Sequence, residues 1–346
     1  MLLLPVYRLI SKVTQLLLCI SCLYSLSSSS WAAEEGSNEE SSDEEISQVQ
    51  SSDEESSGVN NKETEPSIKE PLHYLPDIPK KRAQSLIHYM ERMEREDEIV
   101  SLTGSNQDFY GLFLGDVTGR PQGGVLILHD NQQHGHWPKI VAPLREYLPH
   151  HGWATLTIEL PDIPARQRIA RQDLTVPSPS SDTEEASDAE EAYRKQNQQR
   201  IFTAMEYLRS KGQFNLVIIG YGTGAALAID YINQQNEGAK VKVRGNKGLS
   251  LITIDAMPSP HNASRMDQQL TKFKIPFLDL IQPNKAYAVK QGEARRGIMK
   301  RNKNKRYQQV ITSNIASYYE DNNPTNRRIR GWLKTNAAGT RIKIRR

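Results

Sequence analysis

Gly220-Tyr221-Gly222-Thr223-Gly224 constrains this chain more than any other segment. It follows directly on the apolar run Leu216-Val217-Ile218-Ile219 and leads into Ala225-Ala226-Leu227-Ala228-Ile229. A short apolar run bounded by glycines predicts a strand buried on both faces. Glycines at alternate positions permit left-handed backbone and close approach, so the chain can turn sharply from that strand into a helix. A strand, tight turn and helix in this order belong to a parallel sheet covered by helices.

The other apolar segments repeat the alternation. Ile99–Leu102, Phe109–Leu114, Gly124–Leu128, Trp153–Leu160, 215–219, Leu249–Ile254, Ile275–Ile281 and Tyr307–Ile311 read as strands. Helical patterns fall at Ile140–Leu148, Ala189–Leu208, 225–235 and Arg327–Leu333. Ile201, Met205 and Leu208 share one face of the second helix, as the 3.6-residue period requires. The pattern predicts an α/β three-layer sandwich, a mostly parallel eight-stranded sheet with helices on both faces.

Residues 1–32 read as an export leader. Arg8 and Lys12 supply positive charge, Leu16–Leu26 is mainly apolar, and Ser30-Trp31-Ala32 places small residues before a cut at Ala32/Ala33. The apolar stretch is shorter than the ~20 residues a spanning helix needs. A Sec-type signal predicts a periplasmic or envelope-associated protein; attachment through Cys22 is the alternative. Cys19 and Cys22, the chain's only cysteines, both lie in the leader, so the mature protein depends on its core rather than on disulfides.

Residues 33–71 are rich in Ser, Glu and Asp, with Ser41-Ser42-Asp43-Glu44-Glu45 repeated as Ser51-Ser52-Asp53-Glu54-Glu55. Such a segment buries too little apolar surface to offset its chain entropy and is predicted to be a disordered acidic tether. A folded domain is expected over 72–338, interrupted by an acidic insertion at 171–188 that also reads as disordered. Residues 339–346 form a basic tail.

Four blocks carry a resemblance. They are Leu128-His129-Asp130-Asn131-Gln132-Gln133-His134 with Trp137-Pro138; Pro143-Leu144-Arg145 with Gly152-Trp153-Ala154-Thr155-Leu156 and Leu160-Pro161; Gly220 to Ala225; and Arg330-Gly331-Trp332-Leu333. Together they resemble the α/β-hydrolase superfamily, and within it a bacterial envelope family known as a domain of unknown function. The resemblance implies a nucleophile turn, normally G-x-S-x-G, after the fifth strand. The serine place holds Gly222. It also implies an oxyanion loop at His129-Asp130, with the Thr223 N–H as one donor and a backbone N–H just after His129 as the other.

The implied triad lacks its serine and its histidine outright, and its acid is displaced from the usual place. The usual acid place reads Gln282-Pro283-Asn284, which leaves Asp255 as a possible relocated acid. His261 is the last histidine, so no general base follows the final strand. Thr223 is a poor substitute nucleophile, because its amide rather than its hydroxyl would face the site. The expected protein is a catalytically degenerate hydrolase fold that binds a ligand or serves as a scaffold in the cell envelope. Its pocket, between the His129 loop and Gly222, would take a small acyl or ester-like group. The alternative is an active hydrolase with an unconventional, metal-assisted site.

Three further patterns were weighed. Gly220-x-Gly222-x-x-Ala225 fits a dinucleotide fingerprint, but it does not end the first strand and lacks an acidic residue at the next strand's end. No cofactor is expected. His129, His134 and His136 alternate on one loop and are weak candidates for a metal, since no second ligand group accompanies them apart from Asp255 and His261. The C-terminal third is basic, with Arg295-Arg296, Lys300 to Arg306 and Arg341 to Arg346. In an exported protein this predicts an anionic envelope surface, phospholipid or lipopolysaccharide, or an acidic partner, and no nucleic acid; solvated surface charge is the alternative.

Overall fold

A computed structural model describes residues 77–104, 107–164, 181–238, 248–260, 263–283, 285–312 and 323–337. The leader, the tether, residues 171–180 of the insertion, His261 and the basic tail lie outside these described residues. The strands are β1 (Ile99–Leu102), β2 (Phe109–Leu114), β3 (Gly123–Leu128), β4 (Trp153–Ile158), β5 (Leu216–Tyr221), β6 (Leu249–Ile254), β7 (Phe277–Ile281) and β8 (Tyr307–Ile311). The helices are α1 (Ile78–Arg92), α2 (Val141–Tyr147), α3 (Ser181–Ser210), α4 (Gly224–Gly238), α5 (Ala263–Leu270), α6 (Ala286–Arg301) and α7 (Pro324–Asn336).

The strands form one sheet in the order β1-β2-β4-β3-β5-β6-β7-β8. β2 runs antiparallel to β1 and β4, and the remaining pairings are parallel. Every residue of β3, β4 and β5 is buried, because helices cover both faces of the sheet. Alternate side chains feed two cores. Leu126, Leu128 and Ile218 meet α3, α4 and α6 through Ile201, Met205, Ile229 and Ile298. Val125, Ile127, Val217 and Ile219 meet α2 and α7 on the other face through Leu144, Ile329 and Trp332. The α/β-hydrolase-like architecture expected from the sequence is the one observed.

Local signals set several boundaries. Asp77 caps α1 by accepting from the Lys80 N–H at 3.1 Å, and Asn323 caps α7 by accepting from Asn326 at 2.9 Å. Elsewhere the sequence reading needs correction. α3 starts at Ser181 rather than Ala189, so residues 181–188 of the acidic insertion are helical. Acidic residues suit a helix N-terminus, where the backbone dipole favours negative charge, so composition alone misplaced this boundary. The apolar periodicity does not reveal α1, α5 and α6; α1 and α5 are short or polar, and α6 has the composition of a charge run. Arg295 in that run is fully buried against Asp279 instead of joining a basic surface.

Candidate functional site

The sharp turn after β5 is present in full. Gly222 takes φ +57°, in the left-handed region. Its N–H donates to the Ile254 carbonyl at 3.0 Å and its carbonyl accepts from Met257 at 3.0 Å, which pins the turn to the end of β6. The flanking glycines are sterically required. A Cβ at Gly220 would overlap the Ala225 backbone, and one at Gly224 would overlap the Leu128 and His129 carbonyls. The turn glycines therefore let β5, α4 and the end of β3 approach closely, and the dinucleotide reading is not needed to account for them.

What fills the nucleophile's place is a carboxylate. A Cβ built on Gly222 would overlap the carboxyl carbon and both oxygens of Asp130. Asp130 Oδ1 accepts from the Thr223 N–H at 2.8 Å, the Thr223 hydroxyl at 2.8 Å and the Asn131 N–H at 2.9 Å. The donors that the hydrolase fold would aim at an oxyanion are thus engaged by the chain's own side chain. The Thr223 N–H, expected to face an oxyanion, donates to the Asp130 carboxylate instead. The second amide at this carboxylate is that of Asn131, one residue beyond the position just after His129 where the second donor is expected.

The loop after β3 is held in this pose from several sides. Asn131 Oδ1 accepts from the Ile163 N–H at 3.0 Å, and Gln132 donates to Asp162 Oδ1 at 3.1 Å. Arg82 of α1 pairs with the same Asp162 at 2.6 Å. His129 is 2% exposed and uses both ring nitrogens: Nδ1–H donates to the Asp130 carbonyl at 2.7 Å, and Nε2 accepts from Leu160 at 3.3 Å. It is a neutral brace between the loop and the end of β4.

Burial pushes the His129 imidazole down to about 4, against an ordinary value of 6.5. The unfolded chain therefore takes up a proton below the ordinary value while the folded chain does not. The His129 contribution to stability is complete above pH 6.5, falls as pH drops towards about 4, and levels off below. The loss through this window is about 3 kcal/mol from His129. Urea unfolding across that window should show it, and His129→Gln should flatten the curve, leaving the part that His136 shares.

The remaining candidates are separated rather than assembled. His134 Nδ1 accepts from the His136 N–H at 3.2 Å, and its ring lies edge-on to Trp137. His136 Nδ1 accepts from the buried Arg145 guanidinium at 3.1 Å, and burial followed by that charge pushes its pKa down to about 3. A guanidinium at that distance also opposes a metal cation. Among the described residues no group of three His, Cys, Asp or Glu side chains converges as metal ligands. His134 and His136 instead line a groove of about 750 Å³ with Arg82, Tyr89, Pro138 and Glu146.

Asp255 stands at the end of β6 with φ +47° and is 1% exposed. Oδ1 accepts from the Gln282 N–H at 2.7 Å and Oδ2 lies 3.1 Å from Lys285 Nζ, so its partner is a lysine and not a histidine. Burial raises the Asp255 carboxyl against the opposing pull of Gln282 and Lys285. Burial alone would lower Lys285, but Asp255 and Tyr221 together outweigh it and the net shift is upward. Lys285 also approaches the Tyr221 hydroxyl at 3.4 Å. The lysine follows the strand after which the fold's acid is expected, a substitution legible in the letters but without a partner until the strands are aligned.

No curated protein matches the sequence. Among solved structures, the dienelactone hydrolase from Anabaena variabilis is 15% identical, with a TM-score of 0.47 over 69% of this chain and 97% of that one. The esterase domain of a Rhodothermus marinus protein is 12% identical, with a TM-score of 0.44 over 68% and 97%. TT1662 from Thermus thermophilus is 15% identical, with a TM-score of 0.46 over 70% and 98%. Residues 14–335 match the family described as a protein of unknown function (DUF3530), and the chain belongs to that family.

Proposed function

We propose that this α/β-hydrolase-fold protein is catalytically silent and acts as a ligand-binding or scaffold protein of the cell envelope. The single observation that carries the reading is the Asp130 carboxylate. It takes the volume of the missing nucleophile and the donors of the missing oxyanion together. A serine hydrolase needs a nucleophile, a base to activate it and an open oxyanion site. Here Gly222 has no side chain, Asp255 pairs with Lys285, and the oxyanion donors are engaged. An acyl or ester-like group could enter at the turn only by displacing Asp130. The groove between α1 and the histidine loop, which neither Asp130 nor Gly222 lines, is the open space for such a ligand, with the Tyr89 ring, Pro138 and neutral imidazoles on its walls.

The test is turnover of p-nitrophenyl esters of short and long chain by the purified protein, read beside ligand-induced thermal stabilisation. No turnover above background is expected, with stabilisation by a long-chain ester analogue that Tyr89→Ala reduces. Turnover that Asp130→Ala abolishes would overturn the reading and make that carboxylate a working group.

A further inference from the structure

The chain carries a net charge of only +3, yet residues 285–346 hold 17 Lys and Arg against 3 Asp and Glu. The structure divides that excess. Arg295 is buried with Asp279, and α7 turns Arg327, Arg328 and Lys334 outward on the opposite face of the sheet from α6. Among the described residues, six of these cations gather at one corner, where α6 ends and β8 begins. Arg296, Lys300, Arg301, Lys303, Lys305 and Arg306 are all exposed there. No ion pair is formed by any of the six among the described residues.

The helix dipole accounts for part of this array. Lys300 and Arg301 sit in the last turn of α6, where cations favour the terminal carbonyls. Lys303, Lys305 and Arg306 lie beyond the helix and have no such role. Their backbone is nevertheless fixed. Lys303 takes φ +54° in a tight turn. Asn302 Nδ2 donates to the carbonyls of Leu270 at 3.1 Å and Phe273 at 2.6 Å. Asn304 Nδ2 donates to Phe273 at 3.2 Å and Ile275 at 3.1 Å. Two asparagines thus clamp the turn to the segment before β7, so the cations are displayed on a fixed frame and less entropy is lost when they bind.

We infer that the α6–β8 corner is a docking face for anionic phospholipid. An array of cations without carboxylate partners complements a sheet of phosphate headgroups, and each Lys or Arg near such a surface adds to the attraction. Single-stranded nucleic acid is the less suitable partner, because it requires exposed aromatic rings on which bases stack. Among the described residues at the corner the aromatic side chain is Tyr307, which packs its ring against Phe277 at 5.1 Å. The leader read at residues 1–32 also brings the chain to a membrane.

The test is co-sedimentation of the purified chain with equimolar phosphatidylglycerol and phosphatidylcholine vesicles, beside vesicles of phosphatidylcholine alone, at low and high salt. Lys303→Glu/Lys305→Glu/Arg306→Glu should weaken binding to the anionic vesicles roughly tenfold or more at low salt, with the difference vanishing at high salt. Arg327→Glu/Arg328→Glu/Lys334→Glu makes the same change in net charge on the opposite face and should leave binding within about twofold. Thermal melts of both variants establish that each is folded. Equal losses in the two variants would show net charge alone at work and overturn the inference. Binding insensitive to salt and to both variants would assign it to the leader instead, with the same consequence. Preferential binding of a single-stranded oligonucleotide, lost in the first variant while vesicles remain unbound, would identify the wrong partner class.

Discussion

Gly222→Ser, which restores the letters of a nucleophile turn, is expected to destabilise the protein by about 2–4 kcal/mol and to confer no esterase activity. Two costs add. A serine at φ +57° bears the strain of left-handed backbone, and its Cβ must expel the Asp130 carboxylate from three hydrogen bonds. Asp130→Gly alone should cost about 1–3 kcal/mol, because the Thr223 and Asn131 amides lose a charged acceptor. Both costs include removal of the same carboxylate, so the double variant should be more stable than the sum of the singles by at least ~1 kcal/mol. Urea unfolding of the four proteins measures this coupling. Strict additivity would mean that Asp130 does not occupy the nucleophile's place in solution. The absence of activity in the double variant follows from Asp255, which faces Lys285 and has no histidine to orient.

The second large effect lies away from the turn. Asp279 and Arg295 are both fully buried, with Arg295 Nε and Nη2 each donating to the carboxylate at 3.0 Å. Thr253, Tyr307 and Gln309 complete the carboxylate's hydrogen bonds at 2.8, 3.0 and 2.9 Å, and Arg295 Nη1 donates to the Ala256 carbonyl at 3.0 Å. The network joins β6, β7, β8 and α6. Arg295→Met leaves a buried carboxylate without its counter-ion and should cost about 3–5 kcal/mol. Asp279→Leu/Arg295→Met removes both charges and should recover a large part of that loss. Denaturation monitored by circular dichroism decides the matter; a loss below ~1 kcal/mol in the single variant would show that water reaches the pair.

The pattern of strands and helices was legible because it depends on local periodicity. β3, β4 and β5 are apolar throughout, and a segment that is apolar on both sides can only sit between two layers. Elements with little apolar content escaped. α6 is one, since its interior contacts rest on Gly292, Ile298 and Met299 spaced among charges. Arg295 could not be separated by composition from Arg296, although one is buried and the other exposed. The difference depends on Asp279 in a strand sixteen residues earlier.

The candidate site divides in the same way. That Gly222 lacks a nucleophile, that no acid stands at Gln282-Pro283-Asn284 and that no histidine follows His261 are facts of the letters alone. The glycine-rich turn could be inferred as well, because a strand cannot pass into a helix so abruptly with side chains in the way. Tertiary structure decided what occupies the space. Asp130 and Thr223 are 93 residues apart and meet only because β3 and β5 are neighbours in register, Leu128 beside Gly220. A missing side chain leaves a volume and a set of donors; which group fills them depends on strand order, a property that no local stretch of sequence contains.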